Sequence, residues 1–262
     1  LMEVVICDSA QDIGALGADA IASALKSKPE PVIGLATGSS PLAIYAELSR
    51  RVADGELSFA DALAFTLDEY VGLPAEHPER YRNVIQSVFV DHVDIDPARV
   101  QGPDGLADDL EAACTAYELA IRDAGGVDVQ ILGIGTDGHI AFNEPGSSLA
   151  SRTRIKTLTK QTREDNARFF GDDVSAVPVH CLTQGIGTIM EARHIVLVAT
   201  GRAKAEAIHQ LVEGPISALW PATILQMHPH VTVIIDAGAA SRIQLGDYFR
   251  DTYANKPAWQ GF

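Results

Sequence analysis

Cysteine is scarce in this chain, with 3 in 262 residues: Cys7, Cys114 and Cys181. No two stand at CxxC spacing, which removes the zinc-ribbon and dithiol redox patterns. So few thiols suit a reducing, cytoplasmic compartment. Long apolar runs are also missing. None approaches the ~20 residues that cross a bilayer, so no membrane partner is expected. The N-terminus lacks the basic and apolar stretches of a secretory signal, and Met2, preceded by Leu1, reads as the native start. Basic residues are outnumbered, 20 Lys and Arg against 35 Asp and Glu, for a formal charge of -15. Nucleic-acid binding needs clustered Lys and Arg, so that partner is not expected. A small anion needs only a local basic pocket, which the net charge does not exclude. Repeats, low-complexity tracts and Ser/Pro-rich linkers are absent, and the chain reads as one domain spanning residues 1–262.

What is present is apolar substance and alternation. Hydrophobic residues make up 47% of the chain, enough to fill a large core. Short apolar runs predict strands at 3–7, 32–36, 63–67, 127–133, 194–200 and 231–236, with an extended segment at 153–158. Helical periodicity predicts helices at 11–25, 41–51, 79–89, 106–122 and 203–212, and a short one near Tyr248. The runs VIGLA, HIVLVAT and VTVIID are apolar almost throughout, the pattern of strands buried on both faces. The expected fold is α/β, an open and mostly parallel sheet with helices on both faces. In such a sheet a ligand sits beyond the carboxyl ends of the strands, so the loops after each strand carry the chemistry.

Four of those loops stand out. Thr37-Gly38-Ser39-Ser40-Pro41 follows the second run and opens a helix, and hydroxyls with free N–H groups there suit an anion, although an ordinary capped turn has the same composition. Gly201-Arg202-Ala203-Lys204 repeats the strand-glycine-helix pattern. Its lysine sits in a helix first turn, where the dipole favours an acid, so Lys204 serves a ligand or is a solvated surface residue. Asp68-Glu69 follows the third run, and adjacent carboxylates on an extended chain point to opposite sides, one available as a general base. Gly133 to Pro145, GIGTDGHIAFNEP, matches GxGxxG, but no helix pattern follows the third glycine and no acid stands ~20 residues on. The dinucleotide reading therefore fails its context test. The loop does hold Asp137, His139 and Glu144, a set in which a carboxylate fixes the imidazole tautomer for acid/base work. The other histidines form no HExxH-like pattern, and no metal site or cofactor is expected; His228-Pro229-His230 reads as a loop before a strand.

These segments resemble the glucosamine-6-phosphate deaminase family. The matching stretches are GLATGSSPL (34–42), LDEYVGLPAEHPERY (67–81), LGIGTDGHIAFNEPGSSLASRTRIKTLT (132–159), ARFF (167–170) and GRAKAEA (201–207). The central match, with FNEP, separates that family from the 6-phosphogluconolactonases on the same fold, which share a GxGxDGHxA loop. The resemblance implies conversion of glucosamine 6-phosphate to fructose 6-phosphate and ammonia without a cofactor. It implies ring opening by His139 with Asp137 and Glu144, and C2-to-C1 proton transfer by Asp68. It puts the substrate phosphate against Thr37, Gly38, Ser39, Ser40, Arg168 and Lys204. Regulated members bind N-acetylglucosamine 6-phosphate at a second site between subunits, which carries over to Ser147, Ser148, Arg154 and Lys156, while unregulated members keep a similar stretch. The resemblance also implies a homo-oligomer, commonly a hexamer. Segment 149–172, read as helical with charged and aromatic ends, is the expected mobile region. Two other readings use the same residues: a lactonase, which leaves Asp68 and Glu144 idle, and a non-catalytic sugar-phosphate sensor, which wants an attached DNA-binding segment that the early start of the core does not provide.

Overall fold

Strand β1 (Met2–Cys7) lies at one edge of the main sheet and is followed by α1 (Ala10–Ser27). Ser9 starts that helix by accepting a hydrogen bond from the Asp12 N–H, and the helix buries Ile13, Ala18 and Ile21. Next come β2 (Val32–Leu35), α2 (Leu42–Ala53), β3 (Leu63–Thr66) and β4 (Asp68–Tyr70). Helix α3 (Tyr81–Val88), β5 (Val100–Gln101), α4 (Leu110–Asp123) and β6 (Val129–Leu132) complete the first half. The second half runs β7 (Arg154–Thr157), α5 (Lys160–Asn166), β8 (His180–Thr183), α6 (Ile186–Ile189) and β9 (His194–Ala199). Helix α7 (Ala205–Glu213), β10 (Val231–Asp236) and α8 (Gly246–Ala254) close the chain. This computed structural model describes residues 2–261, so the reading of Leu1 falls outside the described residues.

Seven strands form one sheet in the order β1-β10-β9-β6-β2-β3-β5, every pairing parallel. Helices cover both faces, as the apolar runs require. Strands β2, β6 and β9 are buried at every position, and each fully buried Val, Ile or Leu contributes about 1.5–3 kcal/mol of transfer free energy. At the amino ends of the central strands the Asp128 carboxylate is buried. It accepts from the Val32 N–H at 2.7 Å and pairs with Lys28 and Arg193, each at 2.8 Å. One acidic group thus ties β2, the end of α1 and the turn before β9 together.

The sequence reading missed a second sheet. Strands β4, β8 and β7 form an antiparallel layer in that order. Asp-Glu-Tyr has weak strand propensity by itself, and its extended state is imposed by pairing with β8. The extended segment expected at 153–158 is present as β7, whereas the reading of the whole of 149–172 as helical holds only for α5 in its second half. The remaining expected strands and helices are present, most with ends displaced by one or two residues.

Candidate functional site

Four loops leave the carboxyl ends of β9, β6, β2 and β3, which are neighbours in the sheet. They are the four singled out from sequence. The topology therefore brings Thr37–Ser40, Asp68, Gly133–Pro145 and Lys204 to one edge of the fold.

The loop after β6 is wound on itself. The Gly138 N–H donates to Gly135 and the Gly135 N–H to His139. Gly135 is required by contact, since a Cβ there would lie 2.3 Å from the His139 ring. No helix follows Gly138; the next one is α5, beyond β7. His139 Nδ1 lies 2.7 Å from Asp137 Oδ1 and 3.7 Å from Glu144 Oε2. The ring N–H is not well aligned with either oxygen, and both Nδ1 and Glu144 Oε2 are buried without a hydrogen bond. The 2.7 Å approach to Asp137 is within hydrogen-bonding distance but lacks the alignment of a hydrogen bond. The backbone N–H of His139 also donates to Asp137, at 3.2 Å.

These carboxyls titrate in opposite directions. Burial pushes Asp137 up, but the His139 imidazole outweighs it and holds the group at about 2. Burial raises Glu144 above its ordinary value, only partly offset by Thr162, His139 and the Thr159 N–H. One carboxylate stays ionised against the imidazole while the other is poised to exchange a proton, the division an acid/base relay needs. The three donor atoms lie within 4.8 Å of one another, close enough for a cation to engage them as well.

Asp68 and Glu69 divide as their alternation predicts. Glu69 turns to the protein and accepts from the N–H groups of Tyr70, Tyr81 and Arg82, at the start of α3. Asp68 is 6% exposed, and its carboxylate takes no hydrogen bond among the described residues. Burial, then the Glu69 charge, push its pKa well above the ordinary value. Thr183 connects this strand to the relay. It pairs with Asp68 across β4 and β8, and its hydroxyl accepts from the Phe142 N–H at 3.1 Å. Phe142 in turn stacks on Tyr81 and tilts against the His139 ring. Thr183 carried no recognisable signal in sequence, and Tyr81 stood at the end of the 67–81 stretch with no role attached, because each acts through cross-strand or cross-helix contacts.

Of the residues expected to hold an anion, Ser39 and Ser40 precede α2 and Lys204 precedes α7. Pro41 caps α2 with no side-chain hydrogen bond, leaving the helix N-terminus open beside Ser39 and Ser40. Ser40 faces Gly133 at the start of the relay loop. Lys204 stands at the N-cap of α7 and is half-buried. Burial lowers its pKa, with further influence from Asp165, Arg168 and Asp137, so the two cations act on each other and on the relay. Arg168 is exposed, its guanidinium 4.7 Å above the Phe169 ring. Of the residues expected at a second site, Arg154 and Lys156 share one face of β7. Arg154 turns inward and donates to Asn143 Oδ1 at 3.0 Å, the residue before Glu144. The Ser147 hydroxyl is buried and unpartnered among the described residues, and Ser148 is exposed.

Residues 8–234 match the family of glucosamine-6-phosphate isomerases and 6-phosphogluconolactonases. A glucosamine-6-phosphate deaminase of Mycolicibacterium smegmatis is 70% identical, over 99% of this chain and all of its own. One of Beutenbergia cavernae is 71% identical over the same shares. Among solved structures, a monomeric glucosamine-6-phosphate deaminase superposes with a TM-score of 0.89 at 44% identity, covering 92% of this chain and 100% of its own. The 6-phosphogluconolactonase of Thermotoga maritima shares the fold, with a TM-score of 0.71 at 18% identity, over 90% of this chain and 99% of its own.

Proposed function

Because the chain belongs to the glucosamine-6-phosphate deaminase family of enzymes, we propose that it converts glucosamine 6-phosphate and water to fructose 6-phosphate and ammonia with its own side chains. The observation that carries this reading is the pairing of two acid/base systems at one sheet edge. One is the Asp137–His139–Glu144 relay, and the other is Asp68, buried, unpaired and raised. A lactonase has no use for the second.

The substrate phosphate is held by the open N-terminus of α2 with Thr37, Gly38, Ser39 and Ser40, and by Lys204 and Arg168, whose mutual repulsion an anion relieves. His139, held by Asp137, takes the proton from the anomeric hydroxyl and returns one to the ring oxygen, which opens the pyranose. Glu144 exchanges protons with the imidazole. Asp68 then removes the C2 proton, made acidic by the C1 carbonyl, while O1 is protonated, giving an enolamine. The same carboxyl returns its proton to C1, the C2 imine takes up water, and ammonia leaves. Each positioned acid or base contributes about 10²–10⁴-fold. The scheme asks for no cofactor.

The test is ammonia release from glucosamine 6-phosphate, with fructose 6-phosphate formed in equal amount. Hydrolysis of 6-phosphogluconolactone without ammonia, or binding without turnover, would refute the proposal. A second site for N-acetylglucosamine 6-phosphate at Ser147, Ser148, Arg154 and Lys156 is a further proposal. It requires Arg154 to leave Asn143 and a second subunit to complete the site. Rate curves with and without the acetylated sugar, together with sedimentation, test both parts. The three unpaired cysteines are all buried, and a cytoplasmic setting is proposed on the same footing. No helix among the described residues is long and apolar enough to cross a membrane.

A further inference from the structure

The turn between α7 and the last core strand is bound to the relay loop at two points. The Ala222 N–H donates to Gly138 O at 2.9 Å, immediately before His139. The Gly146 N–H donates to Ala218 O at 2.7 Å, two residues after Glu144. The segment carrying both His139 and Glu144 is thus held at each end by residues 218–222. Trp220 lies between these two ties and is half-buried against the main core. Its ring packs on Gly138, where an added Cβ would come within 2.7 Å of the indole and 3.3 Å of the Trp220 Cα. Gly138 has φ +81, so a side chain there is excluded by conformation as well as by contact.

The strap is itself rigid. Ser217 and Trp220 form an isolated antiparallel bridge. The Thr223 side chain, fully buried, has its one hydroxyl proton within reach of the Trp220 carbonyl at 2.7 Å and the Ser217 carbonyl at 3.1 Å, and accepts from the Ser217 N–H at 2.9 Å. A turn that served only to join α7 to β10 has no need of a locked tip pressed against a glycine-rich loop. The relay loop's own hydrogen bonds, by contrast, hold its backbone and not the imidazole. Its Nδ1 and Oε2 atoms lack aligned hydrogen bonds, and a glycine precedes His139.

We infer that Trp220 is a positioning residue for ring opening, which fixes the His139 imidazole against Asp137 by pressing on Gly138. The inference rests on the proposed relay. It does not make Trp220 a contact for the substrate phosphate or for Asp68. Loss of the indole therefore damages the ring-opening geometry and leaves binding of an already open sugar intact. A displacement of ~1 Å at a proton-transfer centre costs on the order of 100-fold.

The experiment compares wild type, Trp220→Ala and Trp220→Phe in three measurements. Steady-state kinetics are taken on glucosamine 6-phosphate. The inhibition constant is taken for the corresponding amino-alditol 6-phosphate, which has no ring to open. The ¹⁵N shifts of the His139 ring report which nitrogen carries the proton. In Trp220→Ala, kcat should fall about 10- to 100-fold, with KM and the inhibition constant within about threefold of wild type. Wild type should show one His139 tautomer and Trp220→Ala a mixture, while Trp220→Phe stays near wild type. If Trp220→Ala does not fold, Ala222→Pro removes the N–H bound to Gly138 and should give the same kcat loss and tautomer mixing. Trp220→Ala turnover within threefold of wild type, an unchanged tautomer signature, or weakened inhibitor binding at constant kcat each overturns the inference. A wild type that releases no ammonia sinks the deaminase reading alone, because the ring shifts still decide whether Trp220 positions His139.

Discussion

Asp68 and Glu69 are consecutive residues of β4, both nearly inaccessible, and the fold treats them oppositely. Glu69 takes three backbone N–H groups from Tyr70 and the start of α3. Asp68, on the other side of the strand, is given none, and burial together with the Glu69 charge disfavours its ionised form. A carboxylate deprived of partners in this way is costly to keep and well matched to accepting a proton.

The first prediction concerns Asp68→Asn. Deamination should fall by about 10²–10⁴-fold, while the sugar phosphate still binds. The variant should also be the more stable protein at neutral pH. A carboxyl raised in the folded state binds more protons there than in the unfolded chain. Stability is therefore lost as pH climbs from ~3.9 through the raised value, and stays lower above it. Melting temperatures at pH 7.5 and pH 4 check this: Asn should lead at the higher pH and the gap should close at the lower. A gap of equal size at both would be inconsistent with the cause given.

Asp137 behaves in the opposite sense. Its carboxyl is held at about 2, so its contribution to stability is present above the unfolded value of ~3.9 and disappears as pH falls toward 2. Asp137→Asn should therefore be less stable than wild type at pH 7, with urea midpoints converging near pH 2.5. The same change should lower kcat by about 100-fold or more with little effect on KM, because it frees the imidazole and leaves the phosphate grip untouched.

Lys204 has a lowered pKa, set first by burial. Its ammonium is lost at a lower pH than an ordinary lysine's, so KM for glucosamine 6-phosphate should begin to climb with pH below the usual ~10.4. Lys204→Met should remove that pH dependence and weaken binding by about 10- to 100-fold, the range for losing a charge-assisted contact. A KM that climbs with pH in the methionine variant as it does in wild type would exclude Lys204 as the group responsible.

Asp128, at the amino ends of the strands, should matter for folding alone. Asp128→Ala leaves Lys28, Arg193 and the Val32 N–H without their shared acceptor; the two cations are partly exposed and turn to water, so the cost in urea unfolding should be about 1–3 kcal/mol, set by the buried N–H. Turnover per folded molecule at 25 °C should be unchanged. A fall in kcat equal to that of the relay variants would mean the two ends of the sheet are coupled.

The parallel sheet and the edge that gathers the candidate residues were legible because their signals are local. VIGLA, HIVLVAT and VTVIID are buried on both faces, and a run apolar at every position records that directly. Glycines after those runs marked the loops, and acid/base residue types inside them marked the chemistry. The relay was visible as Asp137-Gly138-His139 because its members are close in sequence. What tertiary structure decided is everything carried by pairing between distant segments. Asp-Glu-Tyr became a strand only through β8, Thr183 joined Asp68 to the relay only across that ladder, and Trp220 reached Gly138 only once α7 had returned the chain to the loop. The opposed titration of Asp137 and Glu144, and the unequal hydrogen bonding of Asp68 and Glu69, belong to the same class. Identical side-chain chemistry takes different values according to which N–H groups and charges the fold brings near, and no spacing along the chain encodes that.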